Sequence, residues 1–222
     1  MKVAERFFIV GAGRHAQVVL AAWQAGCCSE FEFHCFLGQK DIDTAESLEG
    51  HPIRWQTPET LQRLKEEGVE HFAFGLGTLQ SNAKRAELFE FFVNAGFLPL
   101  TLIHPSAYVA EQAELAEGVF VGANAVIQPF AKISKAAIVN TGAIIEHHTE
   151  LGYNTHVAPG SILCGQVQVG AHSMIGAGSV VIQSLMIGEN VTVGAGSVVT
   201  RDIPAGQVVV APRTEILLSA QG

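Results

Sequence analysis

The densest group of titratable side chains is Glu146-His147-His148-Thr149-Glu150, four ionisable groups in five residues, with His156 nine residues after His147. An imidazole titrates near neutral pH, so a histidine in such a group is a natural general base toward an amine or a hydroxyl. A second group, Gly11-Ala12-Gly13-Arg14-His15, follows the apolar run Phe7-Phe8-Ile9-Val10. Strand, glycine-rich turn and helix in that order present free backbone N–H groups to a phosphate, and Gly11 and Gly13 let the backbone approach it closely. The same pattern also serves as a tight turn, so on these residues alone both readings stand. Cys164 is a nucleophile by chemistry, but it falls among small residues of a repeat.

That repeat must position the histidines. In steps of six from Ile103 to Val199, seventeen consecutive positions are Ile, Leu or Val. The residue two before each is mostly Ala or Ser, and Gly often follows, as at Gly152, Gly170 and Gly188. A six-residue period predicts a parallel β-helix, in which three hexads close one triangular coil and neighbouring coils stack to bury the aliphatic positions. The Glu-His-His-Thr-Glu group lies off those positions and therefore faces outward.

Before the repeat, residues 6–10, 32–37, 70–76 and 97–103 read as strands. Residues 16–25, 57–67 and 81–95 read as helices, with Thr57 as N-cap and Pro58 in the first turn. Residues 38–57 read as loop. Alternating strands and helices predict a small parallel α/β domain whose ligands bind beyond the carboxyl ends of its strands. Gly11–His15, Gly38–Gln39 and Gly77–Thr78 all fall at that edge. A dinucleotide fold is not expected: Ala16 stands where a third glycine belongs, and Gly38-Gln39 end the second strand instead of an acid, with Asp41 and Asp43 just beyond. The expected organisation is an α/β domain over residues 1–102, a β-helix over 103–205 and a tail over 206–222. Apolar residues 208–218 of the tail are expected to cover the open end of the coil.

A formal net charge of −8 argues against nucleic acid or an anionic membrane as the main partner. No run approaches the roughly 18 apolar residues of a membrane span, and residues 1–10 lack a signal-peptide core. Cys27, Cys28, Cys35 and Cys164 form no CxxC and no even framework, which fits a reducing, cytoplasmic setting.

Four segments in order, Ile9-Val10-Gly11-Ala12-Gly13-Arg14-His15, Leu102-Ile103-His104-Pro105-Ser106-Ala107, Val139-Asn140-Thr141-Gly142-Ala143-Ile144-Ile145-Glu146-His147 and His156-Val157-Ala158-Pro159-Gly160, resemble the sialic acid O-acetyltransferase family of sugar acyltransferases. That family includes N-acetyltransferases of nucleotide-linked 4-amino sugars such as bacillosamine and perosamine. The resemblance implies a left-handed β-helix, a homotrimer, acetyl-CoA as donor without a metal, and a nucleotide-sugar site in the N-terminal domain. It places the general base on His147 and an active-site asparagine on Asn140. It puts acetyl-CoA contacts on His156 and the amide of Gly165, and the nucleotide-sugar loop on Gly13, Arg14 and His15. The implied reaction is direct acetylation of a 4-amino group, with no acyl-enzyme. Some relatives place Glu directly after the base. Here His148 stands there, which leaves Glu146, Glu150 or no acid for that role. Arg213 is the candidate contact for coenzyme A phosphates. Alternatives are O-acetylation of a sialic-acid-like sugar, a zinc lyase resembling the gamma-class carbonic anhydrases with ligands from His147, His148, His156 and His172, and a non-catalytic trimeric scaffold.

Overall fold

The computed structural model describes residues 4–39, 46–77 and 82–211. Its N-terminal sheet contains β1 (Glu5–Val10), β2 (Phe31–Gly38), β3 (Ser47–Leu48), β4 (His51–Trp55), β5 (Val69–Phe74) and β6 (Leu98–Pro99). Their spatial order is β3-β4-β2-β1-β5-β6, parallel throughout except where β3 turns back on β4. Helices α1 (Arg14–Gln24), α2 (Pro58–Glu66) and α3 (Asn82–Asn94) connect the strands. Thr57 caps α2 through its hydroxyl, which accepts from Thr60 N–H at 3.2 Å.

Two expectations are corrected. Residues 38–57 are not simply loop: Ile53 is buried beside Phe36, and β4 extends the sheet past β2. The strand expected over 97–103 is interrupted. Leu98–Pro99 pairs with β5, while Leu102–Ile103 begins the coil by pairing with Phe120–Val121. Pro99 is tolerated because β6 is the edge strand, and Leu100 N–H still donates to the Phe72 carbonyl at 2.7 Å before the chain passes to the coil.

Beyond it stands a left-handed parallel β-helix with three faces. Face 1 holds seven strands, from Leu102–Ile103 to Val208–Val209. Face 2 holds six, from Tyr108–Val109 to Val198–Val199, and face 3 holds five, from Glu114–Leu115 to Met186–Ile187. Each strand pairs with the one 18 residues on, as Ile144 does with Ile162. The aliphatic column from Val121 to Val199 is buried, with Ala125, Ala131, Ser161, Ser173 and Ser179 in the same interior. Interior serines are satisfied by the next coil: Ser161, Ser173 and Ser179 donate to the carbonyls of Gly176, Gly188 and Gly194 at 2.8–2.9 Å. The glycines after the aliphatic residue have a steric cause. A Cβ on Gly170 would lie 2.5 Å from the Glu189 nitrogen of the coil above.

Every corner is made by one residue in the left-handed region, recurring every six residues from Gly118 to Gly196, and His148 is one of them at φ +58°. Its N–H donates to the carbonyl 19 residues earlier, His148 to Pro129 at 3.2 Å and Gln166 to His147 at 3.0 Å. The repeat also continues past Val199. Ile203 bridges Ile187, and Val208–Val209 pairs with Thr192–Val193, both 16 residues apart rather than 18. The tail therefore starts as a shortened coil; residues 212–222, with Arg213 and most of the segment expected to cover the coil's end, lie outside the described residues, as do Asp41, Asp43 and Thr78.

The N-terminal domain sits on face 1. Leu102, Phe120 and Ile138, the outward rungs of that face, share one buried cluster with Phe7, Ile9, Ala16 and Leu20. The next rung up is His156.

Candidate active site

His156 emerges where the apolar rungs of face 1 end, and it is 8% exposed. Asn140, at the corner between faces 1 and 2, places its side-chain amide 3.2 Å from His156 Nε2. The Asn140 oxygen accepts from Thr141 N–H at 2.8 Å, which turns the NH2 group toward the ring. Burial first, then the charges of Arg85 and His15, pushes the His156 imidazole down to about 3. It is neutral at physiological pH, so Nε2 accepts from Asn140 and Nδ1 carries the proton.

His15, in the first turn of α1, faces the same region. Its ring meets Phe120 edge-on, with centroids 5.4 Å apart, and Gly77 packs against it. Burial, then the Arg85 charge, pushes it down to about 4. Its Nε2 is sealed from solvent and has no hydrogen-bond partner. A buried, unpartnered ring nitrogen at the carboxyl edge of a parallel sheet is what a ligand donor or acceptor would satisfy. Gly13 is the exposed N-cap of α1 with open space where a Cβ would stand, and Arg14 is exposed beside it. Gly11 has a different reason to be glycine. Its φ is +94°, and a Cβ would meet Leu76 Cδ2 at 2.6 Å.

His147 lies elsewhere, at the corner between faces 2 and 3. Its ring lies against Gly165 one coil above: a Cβ there would lie 2.6 Å from His147 Cε1 and 2.7 Å from Nε2. No backbone carbonyl among the described residues accepts from Gly165 N–H. The residue at this corner position generally donates no backbone bond, which is why Pro129 and Pro159 are tolerated at its equivalents. His147 Nδ1 meets His148 Nδ1 at 3.2 Å, and His148 rests on Phe130 with ring centroids 4.9 Å apart. Glu150 instead pairs with Lys132 at 3.6 Å; of the expected alternatives, Glu146, Glu150 or no acid, neither carboxylate pairs with His147 among the described residues, and its ring neighbour is His148.

The expected residues thus fall into two groups. Asn140, His156 and His15 come together at the N-terminal domain, whereas His147 and Gly165 meet at a different corner. Between the two corners runs face 2, whose outward residues Tyr108, Val126, Ile144, Ile162, Val180 and Val198 are all apolar and none is buried. Volume does not mark the site: a cleft of about 620 Å³ lies on face 3, lined by Lys132, Glu150, Gln168, Met186 and Asp202, and contains none of these residues.

One residue was not legible in the sequence. Arg85 of α3 is 2% exposed. It donates to the carbonyls of Leu76 at 2.9 Å and Ala136 at 2.7 Å, and to the side-chain oxygen of Asn154. Burial holds its guanidinium down to about 9, so it stays charged at neutral pH. Its partners on the coil are 51 and 69 residues away, and a lone arginine in a helix reads as a solvent-facing charge. Among the described residues no three His, Cys, Asp or Glu side chains converge as a metal site, and no helix is long and apolar enough to cross a membrane.

Comparison with known proteins places this geometry in a family. The model of the bacterial transferase hexapeptide, six repeats, matches residues 166–201. No curated protein sequence matches the chain. Perosamine N-acetyltransferase from Caulobacter crescentus, solved with CoA and GDP-perosamine, superposes with a TM-score of 0.84 at 33% identity over 92% of this chain and 93% of that one. The acetyltransferase domain of PglB from Neisseria gonorrhoeae FA1090, solved with acetyl coenzyme A, gives 0.83 at 33% identity over 93% and 96%. WeeI from Acinetobacter baumannii AYE, at 21% identity and 0.77 over 92% and 96%, shares the fold. With a third of its residues identical to each of two acetyltransferases along nearly its whole length, this chain belongs to the family of hexapeptide-repeat sugar acetyltransferases and is an acyltransferase.

Proposed function

We propose that the protein is a homotrimer that transfers the acetyl group of acetyl-CoA directly to the 4-amino group of a nucleotide-linked amino-deoxy sugar. The observation that carries this reading is the split of the site across face 2. An apolar outward column of six rungs is the surface a prism hides against copies of itself. Three parallel prisms with face 2 toward a common axis set the corner between faces 1 and 2 of each copy against the corner between faces 2 and 3 of the next. Asn140 and His147 sit on the same coil, so that packing joins Asn140 and His156 of one copy to His147 and Gly165 of its neighbour at one height. Support for the substrates comes from the perosamine enzyme, solved with CoA and GDP-perosamine, including variants with a single histidine replaced by asparagine or alanine.

In the assembled cleft His147 takes a proton from the acceptor amine, whose lone pair attacks the thioester carbonyl carbon. Gly165 N–H donates to the oxygen on which negative charge develops. Collapse releases the coenzyme thiol, and positioning of two bound substrates supplies much of the rate without an acyl-enzyme. Asn140 and the neutral His156 contact the acetyl-CoA end, while Gly13, Arg14 and His15 hold the nucleotide sugar at the carboxyl edge of the N-terminal sheet. In this reading residues 1–102 bind the sugar nucleotide, 103–205 carry the transferase site and 206–222 finish the chain.

Thiol release from acetyl-CoA, measured with UDP-, dTDP- and GDP-linked 4-amino sugars and free sialic acids in parallel, tests the chemistry. Turnover with one nucleotide amino sugar is expected, and turnover with sialic acid alone would replace the acceptor. Subunit mixing tests the shared cleft. His147→Ala and Asn140→Ala homotrimers are each expected to be inactive, and co-refolded mixtures to recover about one site in four, because each heterologous interface draws one residue from each copy. No recovery in mixed trimers would place the whole site within one chain.

A further inference from the structure

The contact between His147 and His148 carries a consequence for how the base works. Two ring nitrogens 3.2 Å apart, Nδ1 to Nδ1, form a hydrogen bond only if one carries a proton and the other does not. His148 is held for this geometry from two sides. Its backbone takes the left-handed corner conformation at φ +58°, anchored by its N–H to the Pro129 carbonyl, and its ring lies on Phe130 at 4.9 Å. His147 is held from a third direction by Gly165, over the Cε1–Nε2 edge of its ring. Both rings are exposed in the single chain, and these contacts leave open which of the two nitrogens carries the bridging proton.

We infer that His148 is the positioning residue of the acetyl transfer, accepting a hydrogen bond from Nδ1–H of His147 and so fixing the tautomer in which Nε2 is free to take the substrate proton. The inference rests on the acetyl-transfer reading for its role in turnover, but not for the tautomer itself. A neutral imidazole thereby does the orienting work that a carboxylate does in other base pairs. When His147 gains the acceptor's proton at Nε2, its Nδ1–H stays donated to His148 Nδ1, and the positive charge of the imidazolium is shared across that bond. No negative group is required, which agrees with Glu150 being engaged by Lys132 on face 3.

The side-chain oxygen of asparagine occupies the place of histidine Nδ1, and asparagine tolerates the left-handed corner. His148→Asn therefore keeps the acceptor, whereas His148→Leu removes it with similar bulk near Cβ. In the intact trimer with acetyl-CoA and the accepted sugar, His148→Leu is expected to lower kcat by on the order of 10- to 100-fold with KM for both substrates within about twofold, and His148→Asn to restore most of it. A merely structural role would lower both variants alike or move Tm instead of kcat. Nitrogen-15 imidazole spectra, with the His147 signals identified by their loss in His147→Ala, read the tautomer without turnover. His147 is expected as Nδ1–H in the native protein and in His148→Asn, and as Nε2–H or a mixture in His148→Leu. Native kcat in His148→Leu, or an Nε2–H tautomer in the native protein, overturns the inference. Loss of turnover from every acceptor, with the tautomer as expected, overturns the acetyl-transfer reading while leaving the pair.

Discussion

At the residue scale, the site is made by contacts that leave no room for substitution. Gly165 lies where a Cβ would press on His147 at 2.6 Å, yet its φ is outside the left-handed region, so alanine suits the backbone. Gly165→Ala is expected to cost roughly 10- to 100-fold in kcat by displacing His147, the proposed base, a fraction of an ångström, with unfolding free energy nearly unchanged. Steady-state kinetics beside a denaturation curve checks both halves. The buried histidines make a second prediction. His15 and His156 are held down to about 4 and about 3, below the 6.5 of an unperturbed imidazole that applies to the unfolded chain. Below pH 6.5 the unfolded chain binds more protons, so stability falls with falling pH until each folded value is reached. The slope is roughly 1.4 kcal/mol per pH unit for each histidine in that window. Urea unfolding at pH 7 and pH 5 is expected to show this loss, and His156→Asn to remove about half of it.

At the element scale, α3 ties the two domains. Arg85 links the Leu76 carbonyl, on the loop beside His15, to Ala136 and to Asn154, two residues before His156. Tyr153 adds a 2.7 Å hydrogen bond to Glu90 from the same coil, so the helix is held at successive turns. Arg85→Met leaves the buried Ala136 carbonyl, the part-buried Leu76 carbonyl and an amide oxygen without their donor, at about 1–3 kcal/mol for each unsatisfied group. The expected outcome is a loss of roughly 3–5 kcal/mol in unfolding free energy and a raised KM for the proposed sugar nucleotide, because the two elements proposed to hold it are no longer fixed together. A full retention of stability would mean that water replaces the guanidinium.

At the scale of the whole molecule, the proposed trimer makes the site depend on face 2. Ile144 and Ile162 stand at the middle of its outward column. Ile162→Glu places a charge on the surface proposed to meet the other copies, and burying an unpaired carboxylate there costs several kcal/mol. Light scattering is expected to show monomers with an intact coil, and thiol release to vanish although every site residue is present. A trimer that survives this change would move the interface to another face.

The hexad period determined the coil, its aliphatic interior and the outward placement of Glu146, His147, His148 and Glu150, because each hexad is a local rule repeated at fixed spacing; Thr149, expected to face outward with them, is buried at the small-residue position two before Leu151. The Thr57-Pro58 start and the first two parallel strands were legible for the same reason: caps, glycines and apolar runs act on their neighbours. Less was legible where distant parts meet. The β3–β4 hairpin follows from Ile53 finding Phe36, the break after Leu98–Pro99 from the start of the coil, and the two-residue shortening after Val199 from pairing with the previous coil. At the site, sequence grouped His147 with Glu146 and Glu150, whereas the left-handed corner and Phe130 turn it to His148. Arg85 carried no local signal at all, since its partners come from other elements. The sequence by itself determined which side chains each coil displays and how often. The tertiary structure decided which of them share a corner, because corner geometry and domain docking depend on contacts between residues far apart in the chain.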